Sequence, residues 1–213
     1  MQTLIQLFLH LDTSLASIVQ QYGLWTYMIV FIMIFCETGL VITPFLPGDS
    51  LLFVLGAFSA VGILDLPLVM AIVIIAGIIG DTTNYHIGKI IGPKIFHSDT
   101  SRFLNKKHLI QTQKFYETYG PKAIVIARFM PIVRTFAPFV AGVGKMKYST
   151  FILWNISGAI LWAVSFILGG YFFGNIPFVQ KNLTLMVLII IGASLVPPLI
   201  EYLRKRNNNK YDK

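Results

Sequence analysis

No lysine or arginine occurs before Lys89, although Asp12, Glu37, Asp49, Asp65 and Asp81 all lie in that stretch. A chain of net charge +8 therefore holds all of its positive charge in its later part. Charged residues of both signs make up only 12% of the 213 residues, against 55% hydrophobic ones, which excludes an ordinary soluble domain, where about a quarter is charged. Cysteine is scarcer still. Cys36 alone forms no internal disulfide and no cysteine-based metal or redox motif, and in apolar surroundings it reads as a small buried filler. His86 has no second histidine at metal-ligand spacing. A nucleophile elbow, a phosphate-binding glycine loop and a metal motif are all missing, so neither an enzyme nor a bound cofactor is expected. Residues 1–22 lack the basic start and small-residue cleavage site of a signal peptide, and none is expected there.

What is present is apolar sequence. Mean hydropathy is +0.72, and runs approaching the ~20 residues that a ~30 Å bilayer core requires recur along the whole chain. One polytopic, all-α membrane domain is the expectation. In that setting the basic residues mark orientation: Lys89, Lys94, Arg102, Lys106, Lys107, Lys114, Lys122, Lys145, Lys147 and the tail from Arg204 belong on the cytoplasmic side. A nucleic-acid partner is not expected.

Residues 1–22 read as an amphipathic segment on the outer membrane face, with Trp25 and Tyr27 at the interface. Residues 24–64 form two apolar arms around Thr43-Pro44-Phe45-Leu46-Pro47-Gly48-Asp49, each too short to span comfortably. Pro44, Pro47 and Gly48 break the helix there, which fits a re-entrant hairpin. Residues 66–92 make one complete crossing that carries Asp81, Asn84 and His86. Residues 93–120 form a basic cytoplasmic loop, with His97 and His108 solvated. Residues 121–144 are a second hairpin broken at Pro131 and Pro138; Lys114 and Lys122 before it and Lys145 and Lys147 after it put both of its ends on the same side. Residues 149–174 and 183–203 then cross out and back to a cytoplasmic tail, 204–213. Trp154, Trp162, Tyr171 and Phe172 read as packing and interface residues.

Each half thus consists of one hairpin and one crossing. Tyr22-Gly23 precedes the first hairpin and Tyr119-Gly120 the second, and the crossings end as Gly88-x-x-x-Gly92 and Gly170-x-x-x-Gly174. An odd number of crossings per half makes an inverted repeat. The expected fold is therefore an inverted repeat of re-entrant hairpin plus transmembrane helix, with an extra C-terminal transmembrane helix and interfacial amphipathic helices.

The segment Arg128-Phe-Met-Pro-Ile-Val-Arg134 puts two arginines where lipid should be. An arginine at mid-membrane costs roughly 3 kcal/mol and faces a partner, a cavity or a ligand. If the hairpin tips meet, Glu37 and Asp49 neutralise Arg128 and Arg134. A phosphate that takes the arginines displaces the carboxylates, and protonation of Glu37 or Asp49 restores neutrality. The bland alternative is a structural clasp without a ligand. Asp81, Asn84, Thr135 and Asn155 read as supporting polar residues, with a proton path through Asp81, Asn84 or His86 as the second reading.

Glu37-Thr-Gly-Leu-Val-Ile-Thr-Pro-Phe-Leu-Pro-Gly-Asp49, Gly80-Asp-Thr-Thr-Asn-Tyr-His-Ile-Gly88, Ala127-Arg-Phe-Met-Pro-Ile-Val-Arg134 and Asn155-Ile-Ser-Gly-Ala159 together resemble the bacterial DedA family, over roughly residues 20 to 200. The resemblance implies a multi-pass protein of the bacterial inner membrane, with its C-terminus in the cytoplasm and relatives among eukaryotic VTT-domain lipid scramblases. It also implies transport of undecaprenyl phosphate driven by the proton motive force, with membrane lipids and protons as partners. The family's essential acids match Glu37 and Asp49 and its essential arginines Arg128 and Arg134. Alternatives are a flippase or scramblase of phosphatidylethanolamine, a proton-coupled antiporter of small cations, and a non-transporting membrane organiser.

Overall fold

The computed structural model describes residues 23–40, 48–95 and 116–181. The amphipathic segment 1–22, Pro44 and Pro47, most of the basic loop with His97 and His108, the crossing 183–203 and the tail lie outside them. All regular structure among the described residues is helical: α1 Leu24–Gly39, α2 Gly48–Ala60, α3 Leu66–Ile95, α4 Ala123–Ala127, α5 Pro131–Val143, α6 Tyr148–Gly174 and α7 Pro177–Lys181, with a 3₁₀ turn at Gly120–Lys122. Gly48, expected at the break, opens α2.

Two helices, over Leu66–Ile91 and Tyr148–Gly174, are long and apolar enough to cross a membrane, and well under half of the most apolar stretch of each is buried. Their outward faces carry Ile75, Ile79, Leu153, Ile160, Leu161 and Phe172 in the open, the surface a helix presents to lipid rather than to water. The remaining apolar helices are short.

The described residues fall into two compact units, one of 48–66 and 166–181, the other of 24–40, 67–95 and 116–165. In the first, α2 lies on the end of α6. A Cβ on Gly56 would fall 2.0 Å from the Ile167 carbonyl oxygen, and one on Gly170 1.9 Å from the Phe53 carbonyl oxygen. In the second, α5 lies on α3: a Cβ on Gly142 would fall 2.0 Å from the Tyr85 carbonyl oxygen, and one on Gly88 2.2 Å from that of Phe139. The same four-residue pattern, Phe-Val-x-Gly, makes both contacts, Phe53-Val-Leu-Gly56 and Phe139-Val-Ala-Gly142. Helices in lipid gain no hydrophobic force from meeting each other, so close backbone approach at small residues supplies the attraction through dispersion. Gly23 and Gly120, the second members of the two Tyr-Gly pairs, both turn at positive φ, 44° and 59°.

The second arm of the arginine segment differs from expectation at one residue. Pro138 does not break the chain; it sits inside α5, which runs unbroken from Pro131 to Val143. Pro138 offers no N–H to the Arg134 carbonyl, yet the helix around it is buried at Phe136, Ala137 and Phe139. Tyr116 donates its hydroxyl to the neighbouring Ala137 carbonyl at 2.9 Å. Packing and side-chain hydrogen bonds hold helices together at such prolines.

Candidate functional site

The site belongs to the larger unit and begins at a helix crossing. α1 and α3 meet backbone to backbone at Gly39 and Gly80, where a Cβ on Gly80 would lie 1.9 Å from Thr38 Oγ1 and one on Gly39 3.3 Å from the Gly80 Cα. Glu37 and Asp81 flank this crossing, one on each helix, 4% and 5% exposed. Two carboxylates are thereby carried into the interior by the residues that allow the closest approach.

The arginines arrive from the α4–α5 break. Arg128, Phe129 and Met130 close α4 with i→i−3 bonds to Val125, Ile126 and Ala127 at 3.2, 3.2 and 2.9 Å. Met130 is extended (φ −117°, ψ 106°), as a residue before proline prefers, and Pro131 opens α5 at its first position, where a missing N–H costs nothing. The break sets Arg128 before it and Arg134 one turn into α5.

Arg134 pairs with Glu37 and Arg128 with Asp81, all four groups being largely or wholly buried. The cluster is neutral. Asp81, read from the sequence as a supporting residue, is thus the direct acidic partner of Arg128. Asp49 is half-buried in the first turn of α2, in the other unit. Arg128 Nη2 also donates to Asn155 Oδ1 at 2.6 Å and reaches the Gly77 carbonyl at 3.4 Å. Asn155 is itself fixed, donating to the Ile78 carbonyl at 3.1 Å and to Thr82 Oγ1 at 3.4 Å. The guanidinium slides into a slot between two glycines: a Cβ on Gly77 would lie 3.3 Å from Nη1, and one on Gly158 3.2 Å from Nε.

Asn84, fully buried, ties three elements together by donating to the Thr38 carbonyl at 3.2 Å and the Thr135 carbonyl at 2.8 Å. Among the described residues its Oδ1 and Arg128 Nε have no hydrogen-bond partner. Trp162 completes the wall, and the sequence reading missed it. Its buried ring lies 5.7 Å from the Arg128 guanidinium carbon and 5.1 Å from that of Arg134, so one indole attracts both cations. Trp162 stands seven residues after Asn155, two helical turns along the same face of α6, and that spacing was the available signal. A narrow cleft, with free space of only about 10 Å³, opens among Glu37, Thr38, Asp81, Arg128, Arg134, Thr135 and Trp162.

His86 goes elsewhere. It is exposed, with its ring against Tyr85 and Tyr148, while Asp81 and Asn84 face the charged cluster. Among the described residues no group of three His, Cys, Asp or Glu has the arrangement of a metal site.

Comparison with known proteins gives this geometry a family. A model of the VTT domain matches residues 46–172. Over 205 residues the chain is 51% identical to Protein DedA of Escherichia coli strain K12, covering 95% of this chain and 94% of the relative. An uncharacterized membrane protein of Mycobacterium tuberculosis is 40% identical over 194 residues, 86% of this chain and 83% of its own. The inner membrane protein YqjA of Escherichia coli is 26% identical over 191 residues, 86% and 87% of the two chains. No solved structure matches. The extent of these matches shows that the chain belongs to the VTT-domain DedA family of membrane proteins.

Proposed function

We propose that the protein is a proton-coupled lipid transporter of the inner membrane, which returns undecaprenyl phosphate from the outer to the inner leaflet. The observation that carries this reading is the neutral buried cluster of two carboxylates and two arginines around a cleft. Guanidinium groups bind phosphate with paired, charge-assisted hydrogen bonds. A phosphate that replaces Glu37 on Arg134 leaves the site with excess negative charge, and a proton on the displaced carboxylate removes it. Phosphate entry and proton uptake are then one event. Glu37 is the proton carrier inside the cluster, Asp49 the second carrier on α2, and Arg134 and Arg128 the phosphate ligands. The phosphate takes the place of the displaced carboxylate on the guanidinium, and the lipid chain stays in the bilayer.

The topology follows the same reading. We take the two hairpins as re-entrant and the halves as inverted, with the basic loops and the C-terminus cytoplasmic. The recurrence of one glycine-lined contact, Phe-Val-x-Gly on α6 in one unit and on α3 in the other, supports a repeat.

The experiment is reconstitution in liposomes, with labelled undecaprenyl phosphate and labelled phosphatidylethanolamine followed between leaflets with and without a pH gradient. The expected result is gradient-dependent movement of undecaprenyl phosphate that Glu37→Gln makes insensitive to pH. Movement of phosphatidylethanolamine alone points to a scramblase. Proton flux that needs a small cation and no lipid points to an antiporter, with the arginines as counter-ions only.

A further inference from the structure

The turn from α5 to α6 is closed in a way that glycine would make cheaper. Past the end of α5 the Met146 N–H reaches back to the Ala141 carbonyl at 3.0 Å and the Lys145 N–H to the Gly142 carbonyl at 3.1 Å. This closure needs one residue in the left-handed region, a place usually given to glycine because a Cβ is strained there. Here that residue is Lys145, at φ 53°. Its side chain is exposed, so it gains no packing in return. What lysine adds over glycine at this position is a charge.

The rest of the corner keeps that charge in place beside others. Tyr85 on α3 donates its hydroxyl to the Met146 carbonyl and pins the turn to the helix. Lys89 lies one helical turn beyond Tyr85, and Gly142 packs against its backbone nitrogen. Lys147 follows in the turn, and the Tyr148 and His86 rings stand 5.4 Å apart beside it. Lys89, Lys145, Lys147, His86 and Tyr148 are all exposed, and no carboxylate among the described residues pairs with any of the three lysines. The two candidate spans set the level of the corner. Lys89 stands two residues before the end of Leu66–Ile91, and Lys147 immediately before the start of Tyr148–Gly174. That is the depth of lipid headgroups, where lysine and tyrosine anchor a helix.

We propose that Lys89, Lys145 and Lys147 form a binding site for an anionic phospholipid headgroup at the membrane surface, separate from the buried cluster. Ammonium groups donate to the headgroup phosphate, and the Tyr85 hydrogen bond to the Met146 carbonyl ties the backbone of the turn that carries Lys145 and Lys147 to the helix that carries Lys89. The site recognises negative charge at the surface and is indifferent to a neutral zwitterionic lipid. Each lysine at such a surface is worth about a fivefold change in affinity, screened by salt.

The test uses the full chain in phosphatidylcholine nanodiscs with and without phosphatidylglycerol, with melting temperature as the readout, and titration of short-chain phosphatidylglycerol in neutral detergent. Lys145→Gly is the decisive variant because it removes the charge and relieves the strain together. In phosphatidylcholine alone it is expected to melt at or above the wild type. With phosphatidylglycerol it is expected to lose a large part of the upward shift that the wild type shows, and its apparent affinity should fall about fivefold. Lys89→Gln and Lys147→Gln, at positions without backbone strain, should reduce the shift likewise, and high salt should abolish it. The proposal is overturned if Lys145→Gly melts lower in the neutral lipid, which makes the lysine a structural residue. It is equally overturned if phosphatidylglycerol shifts the wild type no more than a variant that combines Lys145→Gly, Lys89→Gln and Lys147→Gln, or if the shift persists in high salt.

Discussion

At the scale of single residues, the buried cluster is a balance of charges that tolerates removal of both members of a pair better than of one. Asp81→Asn leaves Arg128 buried with its charge uncompensated and is expected to cost about 3 kcal/mol, measured as a lower denaturation midpoint in detergent. Adding Arg128→Gln to Asp81→Asn should restore part of that stability and none of the transport; full recovery of transport would make the pair a structural clasp. Gly158 tests the positioning of the same arginine. A Cβ there would lie 3.1 Å from Arg128 Cδ and 3.2 Å from Nε, so Gly158→Ala tilts the guanidinium while leaving every charge in place. The expected outcome is an apparent KM for the lipid raised by about tenfold with little change in melting temperature, since small misplacement of a ligand group is felt at the site before it is felt by the fold.

At the scale of helices, the same glycine contact occurs twice and should fail in the same way twice. Gly56→Leu in one unit and Gly142→Leu in the other each force the helices apart, and each is expected to destabilise the protein by about 1–3 kcal/mol or to prevent its accumulation in the membrane. A large effect at one and none at the other would count against a structural repeat. Pro138 gives the opposite expectation. Because it lies within a continuous α5, Pro138→Ala supplies the missing N–H and should leave helical circular dichroism unchanged while the melting temperature stays level or rises. A break at Pro138 would instead show as a gain of helix. Much at this scale was legible beforehand. Apolar length alone marks long helices over 66–92 and 149–174, and helices long enough to cross a membrane are found at Leu66–Ile91 and Tyr148–Gly174; the break before Pro131 follows from the geometry proline imposes on Met130. Pro138 was misread because local chemistry treats it like Pro131, whereas burial of Phe136, Ala137 and Phe139 overrides it.

At the scale of the whole molecule, orientation in the membrane is the property that the transport reading depends on, and it can be measured directly. In a Cys36→Ser background, single cysteines at the exposed positions Lys147 and Phe178 stand near opposite ends of α6. An impermeant thiol reagent is expected to reach Phe178→Cys from outside intact cells and Lys147→Cys only after lysis; labelling of both from outside would refute the proposed topology. The amino-acid sequence by itself determined that the chain is a helical membrane protein, where its two long apolar helices among the described residues lie, that its basic residues begin at Lys89, and that Glu37, Arg128 and Arg134 are charges too costly to bury unpaired. Those properties are set by composition and short-range periodicity. Only the tertiary structure decided that Asp81 meets Arg128, that Asn155 and the glycines at 77 and 158 hold it, and that one indole, Trp162, serves both arginines. The physical reason is that partners are chosen where helices cross. The Gly39–Gly80 contact carries Glu37 and Asp81 inward together, and no pattern within either helix alone specifies which cation each carboxylate will find.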